Sequence, residues 1–168
     1  MAEIIKVHKE SIPSLRFIGK KYDSFGHWDE WWQNGWFQVI EDAMGGCEKI
    51  LSLWENGGGY IGLERRSEKM PFEYYIGMLT PENTPVPNGF IHIDFMDLNL
   101  GTCWIYGKEA DVHDTSLCKQ KLLDNGIKLW RDENEAEWSF ENCLCPRYTT
   151  PDDKNNVILD YCYFCLKE

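Results

Sequence analysis

A chain of 168 residues with a formal net charge of −11 suits one domain with an acidic surface. Such a surface repels phosphate backbones and anionic lipids, so the composition argues against binding to nucleic acid or to anionic membranes. Aromatic residues make up 14% of the chain, and this surplus fits either the wall of a ligand cavity or a large aromatic core.

The start of the chain and its hydropathy predict a cytoplasmic protein. No apolar run approaches the roughly 18 residues of a membrane-spanning helix. The first residues, MAEIIK, lack the charged start and the apolar stretch of a signal peptide. In a reducing compartment the seven Cys residues are expected mainly as buried apolar side chains. A zinc site is the alternative, formed by Cys143, Cys145, Cys162 and Cys165.

Periodicity predicts a strand, a helix and two further strands in the first half of the chain. Trp28, Trp32 and Trp36 recur at helical spacing, a stripe that is more typical of a core than of a cavity wall. Gly45 and the glycine after it suit the end of that helix. The predicted elements are a strand at 14–19, a helix over 27–43 and strands at 60–65 and 72–79.

The second half repeats this pattern after a proline-rich connector over 81–87. An asparagine–glycine pair at 125–126 predicts the end of its helix. The predicted elements are strands at 89–96 and 98–106, a helix over 112–125 and strands at 138–145 and 157–166.

The two halves also resemble each other in sequence. An acid–Tyr pair occurs in the last strand of each half, at Glu73 and at Asp160, 87 residues apart. We therefore predict an α+β fold of duplicated strand-helix-strand-strand halves, over about 1–84 and 85–168. Pseudo-twofold symmetry would relate the halves, with an antiparallel sheet, two helices and a central groove.

Seven segments occur in a distinctive order along the chain. They are IP and RFIG at 12–19, GYIGL at 59–63, FEYYIG at 72–77, VPNGF at 86–90, GTCWI at 101–105, Phe140-Glu141, and the turn and strand over 151–161. Their order resembles the GyrI-like small-molecule-binding domain, which is also the effector-binding domain of AraC-type and MerR-type regulators. The resemblance covers nearly the whole chain, 1–168, as a single domain. It implies a duplicated α+β module whose central groove binds amphipathic, often cationic, aromatic compounds.

Glu141 is the leading candidate for a ligand-binding residue. It lies in the stretch WSFENC at 138–143, and an unpaired carboxylate in an apolar site costs several kcal/mol or shifts its pKa. The resemblance matches it to a Glu that faces the ligand in many family members, with Cys143 where a Tyr is often found. Otherwise Glu141 is exposed on an edge strand, or is paired with Arg16 or Arg147.

The other candidates are aromatic residues that could form the walls of the groove. Strand alternation places Trp138 and Phe140 on the face opposite Glu141, and it allows only one of Tyr74 and Tyr75 to line a pocket. Packing in the core is the alternative for each aromatic. The ligand-binding set is predicted as Glu141, Trp104, Tyr106, Tyr75, Trp32, Trp36 and Cys143.

The predicted function is binding of hydrophobic, cationic aromatic molecules by a sequestering or sensor protein. No helix-turn-helix region is apparent, so the chain is not expected to be a transcription factor. No cofactor or metal is expected, because no phosphate-binding loop and no His pair at metal-ligand spacing occurs. Two alternatives stay open. One is a hydrolase of reactive xenobiotics, in which Glu141 and a Tyr such as Tyr106 act as acid and base. The other is a module that inhibits a protein partner.

Overall fold

The computed structural model describes residues 1–167. Within this range, eight strands form one antiparallel sheet and four short helices accompany it. The elements are β1 Glu3–Ser11, β2 Leu15–Tyr22, α1 Trp28–Asn34, α2 Trp36–Met44, α3 Glu48–Leu51, β3 Tyr60–Ser67, β4 Met70–Pro81, β5 Ile91–Phe95, β6 Asn99–Gly107, α4 Cys118–Asp124, β7 Glu137–Asn142 and β8 Val157–Cys165. The predicted α+β class with an antiparallel sheet is confirmed. No helix of this range is long and apolar enough to cross a membrane.

The strand order β1-β6-β8-β7-β3-β4-β2-β5 gives the sheet its internal symmetry. The order reads the same from both ends when β1 to β4 are exchanged for β5 to β8. The central strands are β3 and β7, and Leu63 lies directly opposite Phe140 where they pair. The two halves of the chain therefore meet along β3 and β7, in the middle of the sheet.

The first strand of each half lies on the edge of the other half. β1 pairs with β6, and β5 pairs with β2, so the initial strands are exchanged. The prediction of strand-helix-strand-strand for the first half is wrong on this point, because β1 was not predicted. Each half has two strands, a helical region and two more strands.

Gly35 divides the predicted helix over 27–43 into α1 and α2. Its backbone is left-handed, with φ of +63°, which ends one helix and begins the next. The break changes which aromatic side chains are buried. Trp31 and Phe37 lie in the core, whereas Trp32 is 58% exposed, so the expected Trp stripe is not the buried face of a continuous helix. The predicted helix over 112–125 also shortens to α4, because residues 110–117 form turns.

Helices α1, α2 and α4 cover one face of the sheet, and a second group of buried aromatic residues packs on the other face. Phe95 and Phe164 stack there with ring centroids 3.9 Å apart. Trp138 and Phe140 are buried in the same cluster, on the face opposite Glu141. This confirms the orientation that strand alternation predicted for β7.

The cysteines are only partly as predicted. Four are buried, as expected for apolar packing: Cys103, Cys118, Cys162 and Cys165. The expectation is wrong for Cys143 and Cys145, which are exposed beyond the end of β7. The reason is that β7 ends at Asn142, three residues earlier than predicted, so both cysteines lie in a turn segment.

Candidate functional site

A cavity of about 240 Å³ lies over the junction of β3 and β7, on the sheet face that carries the helices. Strand alternation brings Gly62 and Glu64 of β3 to this face together with Glu141 of β7. Aromatic side chains from α1, from the loop before it and from β4 close the sides. The lining residues are Phe25, Trp28, Tyr60, Gly62, Glu64, Tyr74, Glu141 and Cys143.

Glu64 is the more deeply buried of the two carboxylates in the cavity. Its side chain is only 11% exposed, and its Oε1 accepts a hydrogen bond from Arg66 Nη2 at 2.6 Å. Burial raises the pKa of Glu64, the bond from Arg66 lowers it, and the charge on Glu141 raises it further. A carboxylate in this setting favours any additional positive charge that enters the cavity.

Glu141 lies on the predicted face of β7, and its side-chain partner is His113 instead of either arginine considered from the sequence. His113 Nδ1 lies 3.1 Å from both carboxylate oxygens of Glu141, and His113 Nε2 lies 3.1 Å from the Tyr148 hydroxyl. The two arginines considered from the sequence bind other acids. Arg16 pairs with Asp94, and Arg147 pairs with Asp160. Glu141 is 31% exposed, so its carboxylate stays accessible beside His113.

The aromatic walls are held in place by contacts with one another. Trp28 Nε1 donates a hydrogen bond to the Tyr74 hydroxyl at 2.9 Å, and the Phe25 ring centroid lies 4.7 Å from that of Tyr74. Tyr60 lines the cavity, with the exposed ring of Trp32 5.5 Å away from its own. Fixed ring faces therefore surround the two carboxylates on the side of the first half.

Of the seven predicted ligand-binding residues, the structure brings three to this region. Glu141 and Cys143 line the cavity, and Trp32 packs on Tyr60 at its edge. Cys143 contributes part of the cavity surface from its position just beyond the end of β7.

Two of the other four residues belong to the first half. Tyr75 lies on the opposite sheet face, where its hydroxyl donates to Glu73 at 2.5 Å. Its neighbour Tyr74 lines the cavity instead. Trp36 packs beneath the ammonium group of Lys20, which lies 4.4 Å from its ring centroid. Neither Tyr75 nor Trp36 reaches the carboxylates.

The remaining two lie on β6, away from β3 and β7. Trp104 is contacted by two cations, with Lys6 Nζ 4.4 Å and Arg147 Cζ 4.7 Å from its ring centroid. The Tyr106 hydroxyl donates to Asp152 at 2.6 Å. The acid–base pair considered between Glu141 and Tyr106 is therefore not assembled, because β8 separates β6 from β7 in the sheet.

Sequence reasoning missed Glu64, Trp28, Phe25, Tyr60 and His113 as members of the site. Glu64 precedes two arginines in the run LERRS, a pattern typical of a solvated strand end. One signal did point to it. That signal is the repeat of the two halves. In the structure Glu64 lies opposite Tyr74, just as Glu141 lies opposite Tyr161, so a residue-by-residue alignment of the halves would have paired the two acids.

Gly62 leaves the space that Tyr74 occupies on the cavity floor. A Cβ at this position would clash with the Tyr74 hydroxyl and with its ring. We expect Gly62→Ala to displace Tyr74, to break its bond to Trp28 and to lower the free energy of unfolding by about 1–3 kcal/mol. Urea denaturation of the single variant, of Tyr74→Ala and of the double variant measures this. If the two losses simply add, the clash is not the cause.

The fold and the cavity define a class of protein: an α+β fold of two symmetric halves with an acidic, aromatic-lined cavity where the halves meet. Comparisons of the sequence found no matching family model and no matching curated protein. Solved structures do match. The fold is similar to that of SAV2435, solved bound to tetraphenylphosphonium, with a TM-score of 0.63 and 12% identity over 97% of this chain and 95% of that one.

A second similar structure is a candidate bacterial transcription regulation protein from Staphylococcus aureus MU50. The TM-score is 0.56 and the identity 12%, over 98% of each chain. Both similarities extend over nearly the full length of the chain. At this identity they establish a shared fold.

Proposed function

We propose that this protein is a GyrI-like small-molecule-binding domain that binds amphipathic aromatic cations in the cavity over β3 and β7. It would act by sequestering such molecules or by sensing them. The observation that carries the proposal is the presence of two carboxylates, Glu64 and Glu141, inside one aromatic-lined cavity. Each acid is met only by a partner that reaches solvent, Arg66 or His113, and a ligand cation can take the place of that partner.

The chemistry of the cavity suits lipophilic cations rather than anions or neutral molecules. A carboxylate in a site of low dielectric attracts a cation more strongly than it does in water. Each ring face within about 6 Å of the cation adds about 0.5–2 kcal/mol of cation–π attraction. Trp28 and Tyr74 line the cavity beside the carboxylates, and contacts with such rings require little specific hydrogen bonding, which favours tolerance of different ligands.

The similarity to SAV2435 supports the same ligand class. Tetraphenylphosphonium is a cation with four phenyl groups, and that protein was solved with it bound. It is therefore the natural first probe for this chain, whose overall negative charge also favours encounter with cations.

Isothermal titration of the full chain with tetraphenylphosphonium and with tetraphenylborate tests the proposal. The two ions have the same shape and opposite charge, so their comparison isolates the electrostatic contribution. We expect saturable binding of the phosphonium at one site and no measurable binding of the borate. Equal affinity for the two ions, or no binding of the phosphonium, would contradict the proposal.

A further inference from the structure

Glu64 and Glu141 occupy equivalent positions in the two halves. Glu64 on β3 lies opposite Tyr74 on β4, and Glu141 on β7 lies opposite Tyr161 on β8. Tyr74 and Tyr161 are themselves the tyrosines of the repeated acid–Tyr pair. The symmetry of the fold therefore places one carboxylate from each half in the same cavity.

The register fixes the spacing of the backbone positions that carry the two acids. Glu64 pairs directly with Ser139, and Glu141 is two residues further along the same strand and on the same face. Diagonal neighbours of this kind lie about 7–8 Å apart, with side chains somewhat closer. Two cationic centres at about this spacing can each meet one carboxylate.

Each carboxylate is covered by one side chain that can leave. Arg66 covers Glu64 and is 55% exposed, and His113 covers Glu141 and is 42% exposed. Because both partners reach solvent, each can be hydrated when a ligand cation takes its place, and neither acid is then left without a positive charge. Arg66 also lies over the ring of Phe72 while it bonds Glu64, with its guanidinium carbon 4.5 Å from the ring centroid. Displacing both covering groups leaves two anionic positions in the cavity.

We infer that the cavity is built for aromatic dications, with one positive centre at Glu141 and the second at Glu64. This inference rests on the proposed function and specifies its ligand class. The best ligands are rigid and flat, with two charges separated by about the diagonal spacing of 7–8 Å. Ring stacking on Trp28 and Tyr74 would hold the body of such a ligand between the two acids.

A pair of ligands with the same ring skeleton tests this directly. N,N′-Dimethyl-4,4′-bipyridinium carries a charge on each of its two rings, and N-methyl-4-(4-pyridyl)pyridinium carries only one near pH 8. We expect the dication to bind the wild-type chain about tenfold more tightly than the monocation at low salt. Glu64→Gln should remove this advantage, because it should weaken the binding of the dication about tenfold more than that of the monocation.

Two further variants separate the role of Glu64 from general charge and from misfolding. Glu133 is an exposed carboxylate outside the cavity, so Glu133→Gln should retain the preference for the dication. Arg66→Gln removes the group that covers Glu64 and should increase the affinity for the dication more than that for the monocation. This second variant leaves the buried acid in place, and circular dichroism checks the fold of each protein.

Two results would overturn the inference. One is a dication that binds the wild-type chain no more tightly than the monocation, and the other is a preference that survives Glu64→Gln. If tetraphenylphosphonium still binds in either case, the proposed function stands and only the dication assignment fails. If tetraphenylphosphonium does not bind at all, the proposed function fails and the inference fails with it.

Discussion

Replacing Glu141 with Gln is expected to weaken the binding of tetraphenylphosphonium by about 10–100-fold, or about 1.4–2.8 kcal/mol. Gln has nearly the same shape and can still accept a hydrogen bond from His113, so the substitution removes mainly the negative charge. The attraction between that charge and a bound cation is partly protected from solvent by the surrounding rings. Isothermal titration of both proteins at the same ionic strength measures the difference.

The matched control for this charge is Glu133→Gln. It also changes the net charge by one unit, but Glu133 is exposed and does not line the cavity. Its effect on affinity should stay within about twofold, since exposed charges are screened beyond about 10 Å in 0.1 M salt. Equal affinities of wild type and Glu141→Gln would show that Glu141 does not anchor the ligand.

Replacing Phe140 with Ala is expected to lower the free energy of unfolding by about 3–5 kcal/mol. The ring is fully buried and packs 5.7 Å from that of Phe164, measured between centroids. It also lies opposite Leu63, where the two halves pair, so the lost volume falls at the centre of the sheet. Urea denaturation followed by tryptophan fluorescence gives the value.

Phe25→Ala is the companion variant, because it removes the same side chain from the edge of the cavity. Phe25 is 58% exposed, so its loss should change the free energy of unfolding by less than about 1 kcal/mol. It should nevertheless weaken ligand binding, since this ring lines the cavity. A loss of stability for Phe140→Ala as small as that for Phe25→Ala would contradict the assignment of Phe140 to the core.

Strand alternation predicted the orientation of β7 from the sequence. It set Glu141 on one face and Phe140 on the other, because successive side chains of a strand point to opposite sides. The resemblance between the halves likewise predicted the α+β class and the antiparallel sheet. These features depend on local periodicity, which a single sequence records directly.

The features that were not predicted depend on contacts between distant residues. β1 is an edge strand with many polar side chains, and it is defined by pairing with β6, about 95 residues away along the chain. The split at Gly35 reverses which aromatic residues of the helical region are buried. Trp104 is an aromatic residue of the type that lines ligand cavities. Its ring is instead covered by Lys6 and Arg147, which are distant from it in sequence.

The exchange of β1 and β5 constrains how a ligand can enter. Moving the halves apart would require breaking three strand pairings at once, those of β1 with β6, β2 with β5 and β3 with β7. The exchanged strands therefore oppose a hinge motion that separates the two halves. A route that leaves the sheet intact runs past the exposed rings at the edge of the cavity, Phe25 and Trp32, because exposed side chains change rotamer within nanoseconds.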